Sequence, residues 1–355
     1  MKAAAVAVQR PATAKLLVVD STGRLTHHAR PHFAMLLHAG DLVVANDAAT
    51  LPASLAGRHL RSGRPIEVRL AGHGLNTLGE VSVFSAVVFG AGNFRMRTED
   101  RPPPPRLAAG DWLTLGPLTA VVEKTLDHPR LISISFKGTP GEIWEGLARH
   151  GRPIQYSHLP APLAIWDSWT AIAGPPVAFE PPSAGFIIDW DILASMSGRG
   201  IRFATITHAA GLSSTGDAAL DSRLPFDEPY HISDVAAAEI ESARARRKRI
   251  IAVGTTVVRA LEHCAANDGV IRSGNGTATQ RITAQAGLRV VDALLSGTHE
   301  PGTSHYELLR AFTDEGILRR ADAELNSHNY RTHEFGDWVF IERHSGRLSG
   351  LPHGS

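Results

Sequence analysis

The chain has 355 residues, 43% of them apolar, with 36 Lys plus Arg against 35 Asp plus Glu and a net charge of +1. That length supports two domains and a substantial core, and the even charge balance excludes bulk attraction to a polyanion, so any nucleic-acid contact must come from a local patch. The single cysteine, Cys264, excludes an internal disulfide and a cysteine-based zinc cluster; with no signal-peptide pattern and no apolar span of about 18 residues, a cytoplasmic protein without a membrane part is expected.

Apolar runs predict strands at Lys15–Val19 and Asp41–Ala45. Between Leu51 and Lys137 the pattern changes to short alternating runs divided by Gly, Pro and polar turns: Pro65–Leu70, Glu80–Val88, Trp112–Leu115, Ala120–Glu123 and Leu131–Phe136. This predicts a small antiparallel β-barrel, with Pro102–Pro105 in an exposed loop because proline cannot pair inside a sheet. From Gly141 onward the period is helical at Glu142–His150 and within Gly185–Gly198, then extended at Ile201–Ile206. Helix and strand alternate through Val235–Ala245, Ile250–Val253, Thr255–Cys264, Leu288–Val291, Tyr306–Phe312 and Trp338–Ile341. The expected fold is therefore an open mixed or parallel-sheet α/β domain, residues 1–50 and 141–355, with the barrel of residues 51–140 inserted into it. Gly346–Ser355 reads as a frayed tail, and a monomer or weak oligomer is expected.

The stretch Arg249-Ile-Ile-Ala-Val-Gly-Thr-Thr-Val-Val-Arg259 runs a strand with two covered faces into a hydroxyl-lined helix start. Thr255 and Thr256 can cap that helix or, at the carboxyl end of a sheet strand, hold a ligand. Other strand ends are also polar. Thr205, Thr207 and His208 lead into the small-residue loop Gly211-Leu-Ser-Ser-Thr-Gly216; Asp227, Glu228, Tyr230 and His231 follow Pro225; and Gly297-Thr-His-Glu-Pro-Gly-Thr-Ser-His305 carries two imidazoles and a carboxylate, Glu300. His299 and His305 suit proton transfer, since imidazole titrates near neutrality, and are otherwise loop histidines. The turn Pro181-Pro-Ser-Ala-Gly-Phe186 can present Ser183 beside Gly185. The segment Gln155, Tyr156, His158, Trp166 and Trp169 suits stacking on a base, or plugging an interface. Convergence of His208, His231, His299 and Glu300 on a metal is the weaker reading, as no zinc or iron spacing is present. A nucleophilic triad lacks its Gly-x-Ser-x-Gly elbow, and Cys264 reads as a core residue. The basic run Arg244 to Arg249 reads as a solvated helix end rather than an RNA patch.

Taken in order, Gly40-Asp-Leu-Val-Val-Ala-Asn46, Leu51-Pro-Ala-Ser-Leu-Ala-Gly-Arg58, Ile251-Ala-Val-Gly-Thr-Thr-Val-Val-Arg-Ala-Leu-Glu262, Val290-Val-Asp-Ala-Leu-Leu295, Thr298-His-Glu-Pro301 and Phe335-Gly-Asp337 resemble the S-adenosylmethionine:tRNA ribosyltransferase-isomerase family of queuosine biosynthesis. The resemblance implies an α/β domain with an inserted barrel and S-adenosylmethionine as co-substrate, without a metal. It implies a tRNA partner whose 7-aminomethyl-7-deazaguanine base receives the ribosyl group, giving epoxyqueuosine and releasing adenine and methionine. By motif match, Thr255, Thr256 and Arg259 hold the ligand and His299 transfers protons; His208 and Glu228 are the further catalytic candidates. Ser183, Gly185, Thr205, Thr207, Gly211, Glu300 and Asp337 complete the expected binding set, Asp337 orienting a hydroxyl or amine or else serving as a structural cap. The chain departs from the family pattern at four places. Ile187 replaces a histidine, His208 stands one position later than the family's strand-end histidine, Asp227-Glu-Pro-Tyr230 displaces a carboxylate, and Gln155-Tyr-Ser-His158 replaces Pro-Pro-Tyr-Ile. A one-residue shift on a strand turns the side chain to the other face unless a bulge intervenes. Two alternatives therefore stay open: an S-adenosylmethionine-using paralogue that takes a small acceptor or only cleaves the donor, and a non-catalytic RNA-binding scaffold.

Overall fold

Three short runs that are apolar on both faces, with the more polar run Arg202–His208 beside them, set the centre of the molecule. In the computed structural model, which describes residues 1–74 and 77–344, Arg202–His208, Leu42–Asn46, Ile250–Val253 and Ala293–Gly297 lie side by side and parallel. Trp338–Glu342 joins antiparallel, followed by Lys15–Val19 and the edge strand Leu25–Ala29; on the other flank come Glu228–Ile232 and Gly274–Ala278, both antiparallel. The result is an open mixed sheet of nine strands. Residue parity decides what each face buries. Leu17, Val19, Leu42, Val44 and Ala252 pack under the helices Asp234–Ala245, Thr255–Cys264 and Glu315–Ser327. Leu16, Val18, Val43, Ala45, Ile251 and Val253 pack against Phe186, Ile188 and Ile192 on the opposite face.

The alternating runs close into a six-stranded antiparallel barrel, with strands Ser54–His59, Pro65–His73, Val83–Phe89, Trp112–Leu115, Leu118–His128 and Leu131–Phe136. Leu55, Val68, Phe84, Val88, Leu113, Val122 and Ile134 fill its interior. The helix Pro140–His150 follows, opened by a reciprocal Thr139–Glu142 cap, and buries Ile143 and Leu147 in the barrel's core. Ala49–Thr50 pairs with Pro176–Ala178, tying the chain's path into the barrel to the segment that leads back to the sheet.

Several elements differ from expectation. Leu288–Val291 is not a strand; the strand begins at Ala293. The N–H groups of Arg289, Val290 and Val291 donate to the Glu262 carboxylate at 2.8, 3.0 and 3.0 Å, so a helix side chain takes the place of a sheet neighbour. Gly185–Gly198 splits into a 3-10 turn, Ser183–Ile187, and a helix, Trp190–Gly198, capped by Asp189. In the Pro102–Pro105 loop, Pro102 and Pro103 are exposed but Pro105 is buried. The edge strands Leu25–Ala29 and Gly274–Ala278 and the helix Glu315–Ser327 have no counterpart in the sequence reading. Within the basic run, Arg249 is paired with Asp41 and Glu342. The tail Gly346–Ser355 lies outside the described residues. Among the described residues, no helix is long and apolar enough to cross a membrane.

Candidate active site

A cavity of about 270 Å³ opens where the parallel strands end. Its wall is built from the turn Glu180–Ala184, the loop Ala210–Ser213, the strand-to-helix turn Gly254–Thr256, Arg259, Arg281–Thr283, Ser296, His299 and the start of the helix Ser304–Leu309. Open α/β sheets place ligands at this end, because the loops there are free to carry chemistry while the strands hold them rigidly.

Gly254, not a threonine, is the residue that precedes the helix. Its φ of 98° and ψ of 149° suit glycine alone, and no side chain caps the helix. Thr255 and Thr256 are instead the first two helical residues, both on the cavity wall, so the expectation that they supply cap oxygens is corrected. Thr256 Oγ1 accepts a 3.4 Å hydrogen bond from Asn46. The helix therefore presents an uncapped, partly positive N-terminus and two hydroxyls to the cavity.

Arg259 and Glu228 form a buried ion pair, with Arg259 4% and Glu228 6% exposed. Arg259 also donates to the carbonyl oxygens of Ala278, Phe226 and Gln280 at 2.9, 3.2 and 3.3 Å, so its donors hold the site's own framework. Glu228 Oε1 accepts the Gly211 N–H at 2.6 Å. Burial pushes the Glu228 carboxyl up, against the pull of Arg259. His208 stands behind this pair and off the cavity wall, with Nε2 3.5 Å from Glu228 Oε2. Neither of its ring nitrogens has a hydrogen-bond partner among the described residues, and burial, reinforced by Arg259, holds it well below the usual imidazole range. The register through Ile206 is continuous, so no bulge there restores the face that the one-residue shift changed.

His299 reaches the wall. Its Nε2 lies 3.1 Å from Ser296 Oγ, and its ring stacks on His305 with centroids 4.5 Å apart. Burial holds His299 well below its ordinary value and brings His305 to about 4, so both are neutral near pH 7 and keep an unprotonated ring nitrogen.

The other expected residues divide. Ser183 and Gly211 line the cavity. Gly185 lies off the wall, where a Cβ would meet Thr170 at 3.1 Å. Thr205 lines a separate hollow beside Leu193 and Glu239, and the Thr207 hydroxyl donates to Asp47 at 2.7 Å. Glu300 is exposed and off the wall. Asp337, 1% exposed and off the cavity wall, accepts the N–H groups of Lys15 and Arg331, each at 2.8 Å, the contacts of a structural cap. His231 is exposed on the strand next to the sheet's edge, beside Asn275, so the set His208, His231, His299 and Glu300 does not converge. Ligand atoms of His158, His333 and Glu334, and of His27, Glu324 and His328, do lie within 4.8 Å of one another, joined by imidazole–carboxylate contacts of 3.2 Å. Cys264 ends its helix only partly buried. Trp166 is 70% and Trp169 40% exposed.

Several wall residues escaped the sequence reading, among them Arg281, Thr283, Ser296, Glu307 and Glu180. Glu180 is 7% exposed and accepts a hydrogen bond from the Tyr156 hydroxyl; burial brings its carboxyl to about 7. Its only signal was an acid placed directly before the Pro181-Pro182 turn.

A mixed α/β sheet with an inserted barrel, and neutral imidazoles, buried carboxylates and hydroxyls gathered at the strand ends, defines an α/β enzyme with a polar small-molecule site. The chain belongs to the queuosine biosynthesis protein family, whose model matches residues 2–341. It is 31% identical over 341 residues to an S-adenosylmethionine:tRNA ribosyltransferase-isomerase of Geobacter sulfurreducens, covering 94% of each chain. It is 30% identical to the enzyme of the same name from Thiobacillus denitrificans, covering 93% of this chain and 91% of the relative. A solved S-adenosylmethionine tRNA ribosyltransferase from Thermotoga maritima is 20% identical, with a TM-score of 0.48 over 96% of this chain and 94% of that one.

Proposed function

We propose that this protein transfers and isomerises the ribosyl group of S-adenosylmethionine onto the aminomethyl group of a 7-deazaguanine base in tRNA, releasing adenine and methionine. The observation that carries the reading is the coincidence of the family's Val-Gly-Thr-Thr-x-x-Arg run with the wall of a cavity that also holds a neutral His299. Such a reaction requires a base for the acidic proton beside the sulfonium, and a group to assist the departing adenine. His299 supplies the first, and the uncapped helix start with Thr255 and Thr256 offers donors for the opened ribose or the carboxylate of the methionine part. Glu228, held by Arg259 and Gly211, fixes the loop that closes the cavity. No step in this scheme draws on a metal, and the reading places the chain with tRNA in the cytoplasm.

The test is adenine release from S-adenosylmethionine by purified protein, with and without tRNA bearing the aminomethyl-deazaguanine base. RNA-dependent release supports the reading, and no release with the modified tRNA refutes it. A second reading, a small-molecule acceptor, is favoured by one observation: the segment Gln155-Tyr-Ser-His158, which departs from the family, meets Glu180 at the cavity. Release without RNA would select it.

A further inference from the structure

The carboxylates of the cavity wall differ in what neutralises them. Glu228 is paired with Arg259, and Glu307 lies 3.3 Å from Arg310. Among the described residues, no cationic side chain lies within ion-pair distance of Glu180, although it is almost fully buried. Its partner is a phenol. Tyr156 donates to Glu180 Oε1 and itself accepts from the Ser214 N–H at 3.3 Å. Behind Tyr156, the Arg69 guanidinium sits 5.5 Å from the ring centroid, held by Glu67 at 2.7 Å. On the far side Glu334, bound to His158 at 3.2 Å, adds its negative field to that of Glu180.

A buried carboxylate with no paired cation, acted on by the Arg69 guanidinium only from behind Tyr156, is costly, and the arrangement makes sense where the ligand brings the positive charge. Tyr156 and Ser213 supply hydrogen bonds but no charge. We propose that Glu180 binds the primary ammonium of the acceptor and takes its proton, with Tyr156 as the residue that positions the carboxylate; this deepens the ribosyl-transfer reading and rests on it. The step is a proton transfer: one ammonium N–H proton passes to a Glu180 oxygen, leaving a neutral amine whose lone pair is free and a neutral carboxylic acid. An ordinary exposed carboxylate holds a proton too weakly for this, whereas burial brings Glu180 to about 7. The same environment disfavours an acceptor that carries a hydroxyl in place of the amine.

The experiment measures binding, which does not require turnover. 7-Aminomethyl-7-deazaguanine and its hydroxymethyl analogue are titrated calorimetrically at pH 8 into wild type, Glu180→Gln and Glu180→Asp, with S-adenosylmethionine affinity recorded for each. The expected result is at least about tenfold weaker binding of the amine by Glu180→Gln, with the hydroxymethyl analogue and S-adenosylmethionine unchanged, and the amine preference kept by Glu180→Asp. If Glu180→Gln binds the amine as wild type does, or wild type binds the two bases equally or binds neither, the proposal is overturned. Adenine release separates the two claims. An amine preference that depends on Glu180 in a protein that releases no adenine with modified tRNA would sink the ribosyl-transfer reading and leave the amine site standing.

Discussion

Replacing Arg259 with methionine tests the electrostatic frame of the cavity. The substitution keeps most of the apolar stem and removes a guanidinium that is 4% exposed, bound to Glu228 and to three carbonyl oxygens. Removing one partner of a buried ion pair costs about 3–5 kcal/mol, because the other charge stays behind. Glu228 keeps the 2.6 Å N–H of Gly211, which places the expected loss at pH 8 near the lower end, about 3 kcal/mol. The sign of the pH dependence follows from linkage. Burial already raises the Glu228 carboxyl, and Arg259 is the chief opposing influence, so its removal raises the group further. An acid with a raised folded pKa carries no penalty below its unfolded value of about 4.3, and a growing one as pH rises toward the folded value. The deficit of Arg259→Met should thus be largest at pH 8 and shrink toward pH 5. His208 and His305, both lowered in part by Arg259, shift in the same direction, so acid favours the variant relative to wild type for them too. Urea unfolding at pH 8 and 5.5, followed by tryptophan fluorescence and circular dichroism, measures the difference. Arg259→Met/Glu228→Gln should recover most of it by removing the stranded charge. A deficit below about 1 kcal/mol at pH 8, or the same deficit at both pH values, would refute the reasoning.

His299→Ala should lower adenine release by about 10²–10⁴-fold while leaving the thermal unfolding midpoint near wild type; wild-type turnover in the variant removes His299 from proton transfer. Gly254→Ala should destabilise by about 1–3 kcal/mol, since φ 98° is open to glycine while Ala184 Cβ and Thr256 Oγ1, both at 3.5 Å, leave room for the added methyl; a neutral substitution would mean the turn relaxes freely. His305, held at about 4, binds fewer protons folded than unfolded, so its stabilising contribution is present above its unfolded value near about 6.5 and is lost as pH falls toward 4. The stability difference between wild type and His305→Gln should narrow across that window, and a constant difference would contradict the burial argument.

What could be read from the chain follows from how local its causes are. Ile250–Val253 and Leu42–Asn46 declare themselves because both faces of a central parallel strand are covered, and the barrel strands because one face is not. Leu288–Val291 misleads because its N–H groups are satisfied by Glu262, from a helix distant in sequence, instead of by a neighbouring strand. Gly274–Ala278 has the composition of a turn and becomes an edge strand only through its pairing with Glu228–Ile232. Asp337 sits in a matched motif, yet its two oxygens are taken by the main chain at Lys15 and Arg331, which no spacing rule reveals. Glu180 is the extreme case. Its properties depend on Tyr156 and Glu334, brought to it by segments on opposite sides of its own turn.

The same division explains why one side of the cavity can keep the family's pattern while another changes. Gly254–Thr256 and Arg259 are fixed by the core: Val253, Val257 and Val258 are buried on either side of them, and Arg259 ties three main-chain carbonyls together. A substitution there disturbs both packing and chemistry. Tyr156, Glu180 and His158 stand on irregular segments whose backbone answers to local turns, so their side chains can be exchanged without repacking the sheet. Evolution of a new acceptor is therefore cheapest on that side. On the ribosyl-transfer reading, substitutions at Thr256 should impair S-adenosylmethionine binding, whereas substitutions at Glu180 should leave it intact and alter the choice of acceptor. Equal losses of donor affinity from both would show that the two sides form a single undivided subsite.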